Sequence, residues 1–343
     1  MYNFFPFKFY SLSPDYPFDA MEALMNYKPT FIYKDYDIGN INRRASEVVT
    51  EHSGKIAPFK VSGYDYPAYG ELSDCFNEPS RVQARVKSKT GFYPSPLEYW
   101  NANKEAIGEK FGLVFDEEWY RSHPDEVGQA RQYLWKLTDP YRETKVDPPF
   151  REAGTFRITN IISMVKYFYK DKKVKILDMC AGWGDRLLGS IALSCHYTGI
   201  DPNLDNHTGY NNIIDAYSDL IAEEGLNITL IASPYEEAEI KGKFDVMFTS
   251  PPYYDFEAYR DEENQSIVRY KDLDDWYNNF LLFSAVKTLD LLNEGGFMIY
   301  VINDAMSTYT ERFVKDVSSI CQFVTVVGYG ENAIQPMWIW KKV

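Results

Sequence analysis

A regular alternation of short apolar runs and helical patterns begins near Val174 and continues to the end of the chain. Such alternation is typical of a parallel β-sheet covered by helices, so it restricts this part of the chain to an α/β fold. The last two runs have no segment of helix length between them, which favours a terminal antiparallel pair. The predicted strands are residues 174–179, 197–200, 228–232, 244–248, 297–302, 323–327 and 337–341.

Residues 1–150 follow a different pattern, rich in Pro, Tyr and Asn and with weak periodicity. Two helix-like stretches stand out, 95–111 and 116–136, and the first opens with a Ser N-cap, a Pro at the first helical position and a Glu at the third. The proline-containing stretch 139–149 is a candidate linker. We therefore predict a separate N-terminal domain of residues 1–150, with a possible role in target recognition, and a catalytic domain of residues 151–343.

Composition excludes several classes of protein. The four cysteines form no C-x-x-C pair and only four histidines could join them, which predicts neither a metal site nor a disulfide framework. No long apolar run and no signal peptide are evident, so we expect an intracellular, cytoplasmic protein with no membrane segment. The formal charge of −14 argues against coating nucleic acid by bulk electrostatics, although a local basic patch is compatible with it.

The first predicted strand runs into a glycine-containing turn and an apolar helix, with the sequence ILDMCAGWGDRLL over residues 176–188. Gly182 and Gly184 permit tight backbone geometry, and the following helix offers unpaired amides to a ligand, although an ordinary strand-to-helix turn has the same pattern. The next strand ends at Asp201, 23 residues after Asp178. An acid at the tip of the adjacent strand can accept both hydroxyls of a ribose, which favours a nucleotide-like ligand.

A second motif, TSPPYY over residues 249–254, follows the strand at 244–248. Two adjacent prolines fix φ and remove two amide donors, which leaves carbonyl acceptors that neighbouring strands do not claim. Hydrogen bonds from an amine to the Ser250 hydroxyl and the Pro251 carbonyl would aim the nitrogen lone pair at an electrophile. Tyr253 would stack on a planar acceptor ring, as aromatic side chains stack on extruded bases.

Together the two motifs resemble the class I S-adenosylmethionine-dependent amino-methyltransferases, and residues 250–253 look like motif IV of the DNA N4-cytosine and N6-adenine enzymes. The resemblance covers residues 156–343 and implies a Rossmann-like α/β sheet that is mostly parallel with an antiparallel last strand. It also implies S-adenosyl-L-methionine as cofactor and transfer of its methyl group to an exocyclic amino nitrogen of an extruded DNA base, N4 of cytosine before N6 of adenine. The chain departs from the pattern at Cys180, where a Phe is common, and at Asp185-Arg186.

The resemblance assigns roles to individual residues. Arg186 would form a local ion pair with Asp185 or reach the cofactor carboxylate, and Cys180 is expected to be a small packed residue rather than a nucleophile. The implied catalytic residues are Ser250, Pro251, Pro252 and Tyr253. The implied cofactor-binding residues are Phe156, Arg157, Asp178, Cys180, Ala181, Gly182, Gly184, Asp201, Pro202 and Ser233.

Four cations at alternating positions, Arg81, Arg85, Lys87 and Lys89, would share one face of a strand. Such a face would form a phosphate track or, equally well, a solvated edge strand guarded by charges. We accordingly predict Arg81, Arg85 and Lys87, with Tyr253 and Tyr254, as substrate-binding residues. The loop at 254–270 is a further candidate for recognition.

The expected partner is nucleic acid, with DNA first. One alternative keeps the chemistry and changes the acceptor to RNA or a protein side-chain amide. Another, from a different class, is an inactive methyltransferase-shaped subunit that only binds nucleic acid, which two chemically complete motifs argue against. Oligomeric state and recognition sequence stay open at this point.

Overall fold

The computed structural model describes residues 5–33, 59–62, 72–112, 117–137, 148–329 and 335–343. The linker predicted at 139–149 lies, except for its last two residues, outside them. After a 3₁₀ turn at Lys8–Tyr10, the helices are α1 (Tyr16–Met25), α2 (Asp74–Arg81), α3 (Pro96–Phe111), α4 (Glu117–Ser122), α5 (Pro124–Lys136), α6 (Ile158–Tyr169), α7 (Asp185–Ala192), α8 (Leu204–Ala216), α9 (Ser218–Glu223), α10 (Ser266–Arg269), α11 (Leu273–Trp276), which continues into a π-helix (Tyr277–Leu282), α12 (Phe283–Leu291) and α13 (Thr310–Ile320). The strands are β1 (Thr30–Ile32), β2 (Phe59–Ser62), β3 (Arg85–Ser88), β4 (Gly91–Phe92), β5 (Lys175–Asp178), β6 (His196–Ile200), β7 (Ile228–Ile231), β8 (Phe244–Thr249), β9 (Glu257–Ala258), β10 (Leu292–Val301), β11 (Gln322–Tyr329) and β12 (Gln335–Lys341).

Nine of these strands form one sheet in the order β1-β2-β11-β12-β10-β8-β5-β6-β7. The five strands from β10 to β7 are parallel, while β12 runs antiparallel to both β10 and β11. The predicted Rossmann-like α/β sheet, mostly parallel with an antiparallel last strand, is therefore confirmed. Because the carboxyl ends of parallel strands meet at one edge, the turns that follow β5, β6 and β8 come together there.

Segments from the first 150 residues extend this sheet and its core. Strand β2 pairs in parallel with β11, and β1 pairs with β2. Met21 and Leu24 of α1 belong to the same buried cluster as Ile176 of β5 and Ile299 of β10. Residues on both sides of position 150 thus share one core, and the division into two domains at that position stays a prediction.

A small second sheet joins the N-terminal segment to the loop after β8. Strand β3 pairs antiparallel with β4 on one side and with β9 on the other, where Arg85 lies opposite Ala258 and Val86 opposite Glu257. The segment that follows the TSPPYY motif is therefore held in place by residues more than 150 positions earlier in the chain.

The helix predictions for the first 150 residues had different outcomes. The capping box at Ser95 is confirmed, since its Oγ accepts from the Glu98 amide at 3.1 Å and the Glu98 carboxylate accepts from the Ser95 amide at 2.7 Å. The single helix predicted over 116–136 is wrong, because the backbone leaves helical geometry at His123, where φ is −129° and ψ is 55°. Proline at position 124 disfavours helical backbone at the preceding residue.

No helix in the described ranges has both the length and the apolar character needed to cross a membrane.

Candidate active site

A cavity of about 410 Å³ lies where the turns after β5, β6, β7 and β8 meet, within the usual size range of small-molecule sites. The predicted site residues that line it are Phe156, Cys180, Gly182, Asp201, Pro202, Ser250, Pro251, Pro252 and Tyr253. The predicted residues that lie outside its lining are Arg157, Asp178, Ala181, Gly184, Ser233, Tyr254, Arg81, Arg85 and Lys87.

Asp201 lies in the cavity wall directly after β6 and is 7% exposed. Its carboxylate accepts from the Gly182 amide at 2.8 Å and from the Asn203 amide at 2.9 Å. Burial raises the pKa of this carboxyl group to about 6, against the effect of the two amides. The turn after β5 is therefore wrapped around Asp201, and Gly182, at φ +58°, brings its backbone to the carboxylate without a side chain in between.

Asp178 lies outside the cavity lining and holds the turn after β5 in place through its hydrogen bonds. It is completely buried and accepts from Arg186 Nε at 2.7 Å and from the Tyr197 hydroxyl at 2.8 Å. Arg186 also donates to the Cys180 carbonyl oxygen, and its guanidinium lies 4.8 Å from the Phe156 ring centroid. Arg186 therefore forms an ion pair, but with Asp178 and not with the expected partner, Asp185.

Gly184 has a packing role rather than the predicted ligand-facing one. At φ +89° it adopts left-handed backbone, and a Cβ there would lie 2.8 Å from Ile213 Cδ1 of α8. Ala181 is buried, and its amide donates to the Ile200 carbonyl at 2.8 Å, which ties the turn to the end of β6. Burial, followed by the charges of Asp201 and Asp178, raises the pKa of Cys180, so its thiol stays protonated, as expected for a packed residue.

The loop of residues 249–254, which follows β8, places Ser250 and Tyr253 in the same cavity. The two hydroxyls lie 3.4 Å apart, and the Tyr253 hydroxyl lies 3.4 Å from the Val301 carbonyl oxygen. Burial raises the pKa of Tyr253 to about 12, so the phenol is neutral at physiological pH. In the described ranges no donor contacts the Pro251 carbonyl oxygen, which leaves it available to a ligand.

Tyr254 does not take the substrate-facing position predicted for it. Its backbone is left-handed, with φ +51°, a conformation that non-glycine residues adopt at a cost. Its ring packs against Trp276, with centroids 5.6 Å apart, and lies outside the cavity lining. The chain turns at this strained residue, which is the last of the TSPPYY motif.

Two residues predicted to bind the cofactor, Arg157 and Ser233, lie next to the cavity lining but outside it. Phe156 lines the cavity and its amide donates to Asp185 Oδ2 at 3.2 Å, while Arg157 is the residue that precedes α6 and lies outside the lining. The Ser233 hydroxyl donates to its neighbour, the Pro234 carbonyl, at 3.0 Å, and the lining begins at Pro234.

The predicted face of alternating cations does not form. Arg81 ends α2 instead of lying on a strand, is 3% exposed, and lies 2.7 Å from both Asp74 and Glu152. Arg85 and Lys87 do lie on β3, but each pairs with a carboxylate of the loop after β8, Asp261 and Asp255 respectively. These cations therefore hold parts of the chain together.

Several cavity residues were not predicted from the sequence. Burial raises the pKa of one of them, Asp185, to about 7. The sequence marked the loop at 254–270 as a recognition candidate, and its residues Glu257 and Tyr259 do line the cavity, but no local pattern singled them out. The charged groups of the lining are the carboxylates of Glu152, Asp185, Asp201, Glu236 and Glu257 and the guanidinium groups of Arg151 and Arg186.

No protein-family model matches the chain, and no curated protein matches its sequence. Solved structures that resemble it include the 16S rRNA N2 G1207 methyltransferase of T. thermophilus in complex with AdoMet and guanosine, at 17% identity and a TM-score of 0.38, where the match covers 58% of this chain and 44% of that one. A methyltransferase from Pyrococcus furiosus matches at 15% identity and a TM-score of 0.38, over 62% and 98% of the two chains. A SAM-dependent O-methyltransferase from Thermotoga maritima matches at 12% identity and a TM-score of 0.36, over 60% and 71%. The assignment of the fold rests on the strand order and register described above.

Proposed function

We propose that the protein transfers a methyl group from S-adenosyl-L-methionine to an amino nitrogen. The observation that carries this proposal is that Gly182 and Asp201 line the same cavity as Ser250, Pro251 and Tyr253. A methyl donor held by the first group and an amine held by the second would meet in one space, as direct transfer requires.

The charges of the cavity fit this cofactor. S-adenosylmethionine carries a sulfonium and an ammonium group against one carboxylate, and the lining has more carboxylates than guanidinium groups. Asp201, which lines the cavity, would accept the ribose hydroxyls, and Phe156 and Pro234 would offer apolar contacts. The bound sulfonium would supply the intrinsic reactivity, so this chain has to orient the two reactants and exclude water.

The loop of residues 249–254, the acceptor loop of this proposal, compensates for the weak nucleophilicity of a planar amine, whose lone pair is delocalised. The Ser250 hydroxyl and the Pro251 carbonyl can each accept a hydrogen bond from one N–H group of the amine. This would direct the lone pair out of the acceptor plane. Positioning of this kind contributes roughly 7–11 kcal/mol in the best intramolecular models. Tyr253, neutral and in the same wall, can stack on the acceptor ring.

As acceptor we propose an extruded DNA base, N4 of cytosine first and N6 of adenine next, on the resemblance of the serine form of the motif to the DNA N4-cytosine enzymes. One observation favours a second acceptor, a protein side-chain amide, which has the same planar amine but no phosphates. Arg81, Arg85 and Lys87, the predicted phosphate contacts, all pair with carboxylates of the chain itself.

Incubation with methyl-labelled cofactor and, in parallel, duplex DNA, single-stranded DNA, RNA and protein extract tests the proposal. Label in DNA is the expected result. Label in protein or in RNA alone would contradict the DNA acceptor and keep the methyl transfer. Absence of label from all four, with a correctly folded protein, would contradict methyl transfer itself. A Ser250→Ala variant should lower the label in whichever polymer accepts it.

A further inference from the structure

Glu257 places a carboxylate in the wall of the cavity that holds the acceptor loop. It lies on β9, opposite Val86 of β3, and lines the cavity together with Ser250 and Tyr253. The pairing of β9 with β3 fixes the backbone of Glu257, so the position of the carboxylate does not depend on a loose loop. Burial raises the pKa of Tyr253, and the charge of Glu257 adds to this rise.

Glu257 differs from the other cavity glutamates in its partners. Glu152 pairs with Arg81 at 2.7 Å, and Glu236 lies 3.8 Å from Arg269. Glu257 accepts a hydrogen bond from the Tyr259 hydroxyl, and in the described part of the chain no Lys or Arg pairs with it. Glu257 is half-buried. A carboxylate that is partly removed from water and has no cation is costly, and such groups concentrate at functional sites.

The proposed transfer creates a need for a group that accepts a proton. As the N–C bond forms, the C–S bond breaks and its electron pair stays on sulfur, which becomes a neutral thioether. The positive charge moves to the nitrogen, which must then lose one N–H proton to give the neutral methylamine. The Ser250 hydroxyl and the Pro251 carbonyl can accept hydrogen bonds from the amine, but neither is basic enough to keep the proton.

We propose that the Glu257 carboxylate accepts the proton that the acceptor nitrogen loses, and passes it to water when the product leaves. This role rests on the proposed function. The ionised form is the active one, because a carboxyl group that already holds a proton cannot accept the one that the nitrogen loses.

The electrostatic surroundings of Glu257 set the direction of the pH dependence. Burial raises the pKa of Glu257, and the hydrogen bond from Tyr259 lowers it in part. The cations of the adjoining strand, Arg85 and Lys87, pair with Asp261 and Asp255. Transfer should therefore decline as the pH falls through the raised pKa of Glu257. The other titratable and charged groups of the cavity lining are Arg151, Glu152, Cys180, Asp185, Arg186, Asp201, Tyr235, Glu236 and Tyr253.

The test uses the full chain and the acceptor found with labelled cofactor, and compares Glu257→Gln with Glu239→Gln, the same change at an exposed position outside the cavity. Glu257→Gln should lower the single-turnover rate about 10²-fold, the lower end of general-base contributions, while the affinity for S-adenosylmethionine measured by calorimetry stays within twofold. Glu239→Gln should match the wild type. Tyr259→Phe should move the acidic limb of the pH–rate profile to higher pH, because the hydrogen bond that lowers the pKa of Glu257 is lost.

Two results would overturn the role of Glu257 and leave methyl transfer intact. One is a wild-type rate in Glu257→Gln across the whole pH range. The other is an acidic limb that stays in place in Tyr259→Phe. A wild-type protein that transfers no label would instead contradict the proposed function, and the role of Glu257 with it.

Discussion

In the proposed function, Asp201 binds the cofactor and Tyr253 holds the acceptor. Asp201 is held by backbone amides of the turn after β5, whereas Tyr253 belongs to the loop after β8. Asp201→Ala should weaken cofactor binding on the order of 10- to 100-fold, the worth of hydrogen bonds to a charged group. Tyr253→Ala should keep the cofactor affinity and lose turnover. Calorimetry and single-turnover rates measure the two effects, and an equal loss of cofactor affinity in both variants would refute this division of roles.

The pKa of Asp201 gives a pH prediction of its own. Because burial raises it to about 6, the free protein holds the proton at lower pH, and a cofactor that needs the ionised carboxylate must first displace it. Affinity for S-adenosylmethionine should therefore fall as the pH drops from about 7 to 5. Calorimetric titrations across this range should show the trend in the wild type and lose it in Asp201→Asn. A slope that persists in the variant would assign the effect to another group.

Local sequence predicts the residues whose partners are local. The capping box at Ser95 was predicted because its partners are only three residues apart. Asp304 makes another local cap, since its carboxylate accepts from the amides of Tyr309 and Thr310 at 2.9 Å. Gly184 and Arg81 were misassigned because their partners, Ile213 and Glu152, lie many residues away. No local pattern carries that information.

Among the elements, the contact between α2 and α8 connects the N-terminal segment to the turn after β5. Asn77 of α2 donates to the Trp183 carbonyl at 2.9 Å, and Ser80 donates to Asn206 of α8 at 2.6 Å. The approach is close at Gly209, where a Cβ would lie 1.9 Å from Asn77 Oδ1. Glycine at this position is therefore what allows the asparagine to reach the turn.

Gly209→Ala should accordingly displace Asn77, destabilise the fold by about 1–3 kcal/mol and weaken cofactor binding. The matched control is Gly128→Ala in α5, where the new Cβ meets its nearest neighbour, Ser11 Cβ, at an ordinary 3.6 Å. That change should leave stability unchanged or raise it by up to about 1 kcal/mol through helix propensity. Urea unfolding of both variants checks this, and equal stability would mean that the α2–α8 contact tolerates a methyl group.

Strands were predictable where apolar runs are long and buried, as in β5, β6 and β8. The short strand β9 was not predicted, because two residues give no readable period and its pairing with β3 joins distant parts of the chain. Strand β10 begins earlier than expected, at Leu292, and its register with β8 shifts between Leu292 and Phe297. Gly295, at φ +78°, lies in this irregular stretch.

For the molecule as a whole, the parallel order of the sheet followed from the alternation of elements, but the contribution of the first 150 residues did not. Residues 59–62 extend the sheet beside β11, and Asn77 and Arg81 brace the walls of the cavity from outside the catalytic region predicted at 151–343. Their segments are rich in turns and have weak periodicity, so the sequence alone gave no reason to attach them to this sheet.

This arrangement predicts that residues 151–343 expressed alone are less stable than the whole chain and bind S-adenosylmethionine more weakly, because they lose the Asn77 hydrogen bond and the Arg81 ion pair. Chemical denaturation and calorimetry of the fragment and of the whole chain measure both effects. A fragment that equals the whole chain in stability and affinity would instead support an independent domain boundary at residue 150.

The most direct test of the account is the position of the transferred methyl group. After transfer from labelled S-adenosylmethionine, the accepting polymer is digested to nucleosides or amino acids and the product is identified by mass spectrometry. The geometry of Ser250, Pro251 and Tyr253 predicts a methyl group on an amino nitrogen, with N4-methylcytosine expected first. A methyl group on carbon or oxygen would contradict the account.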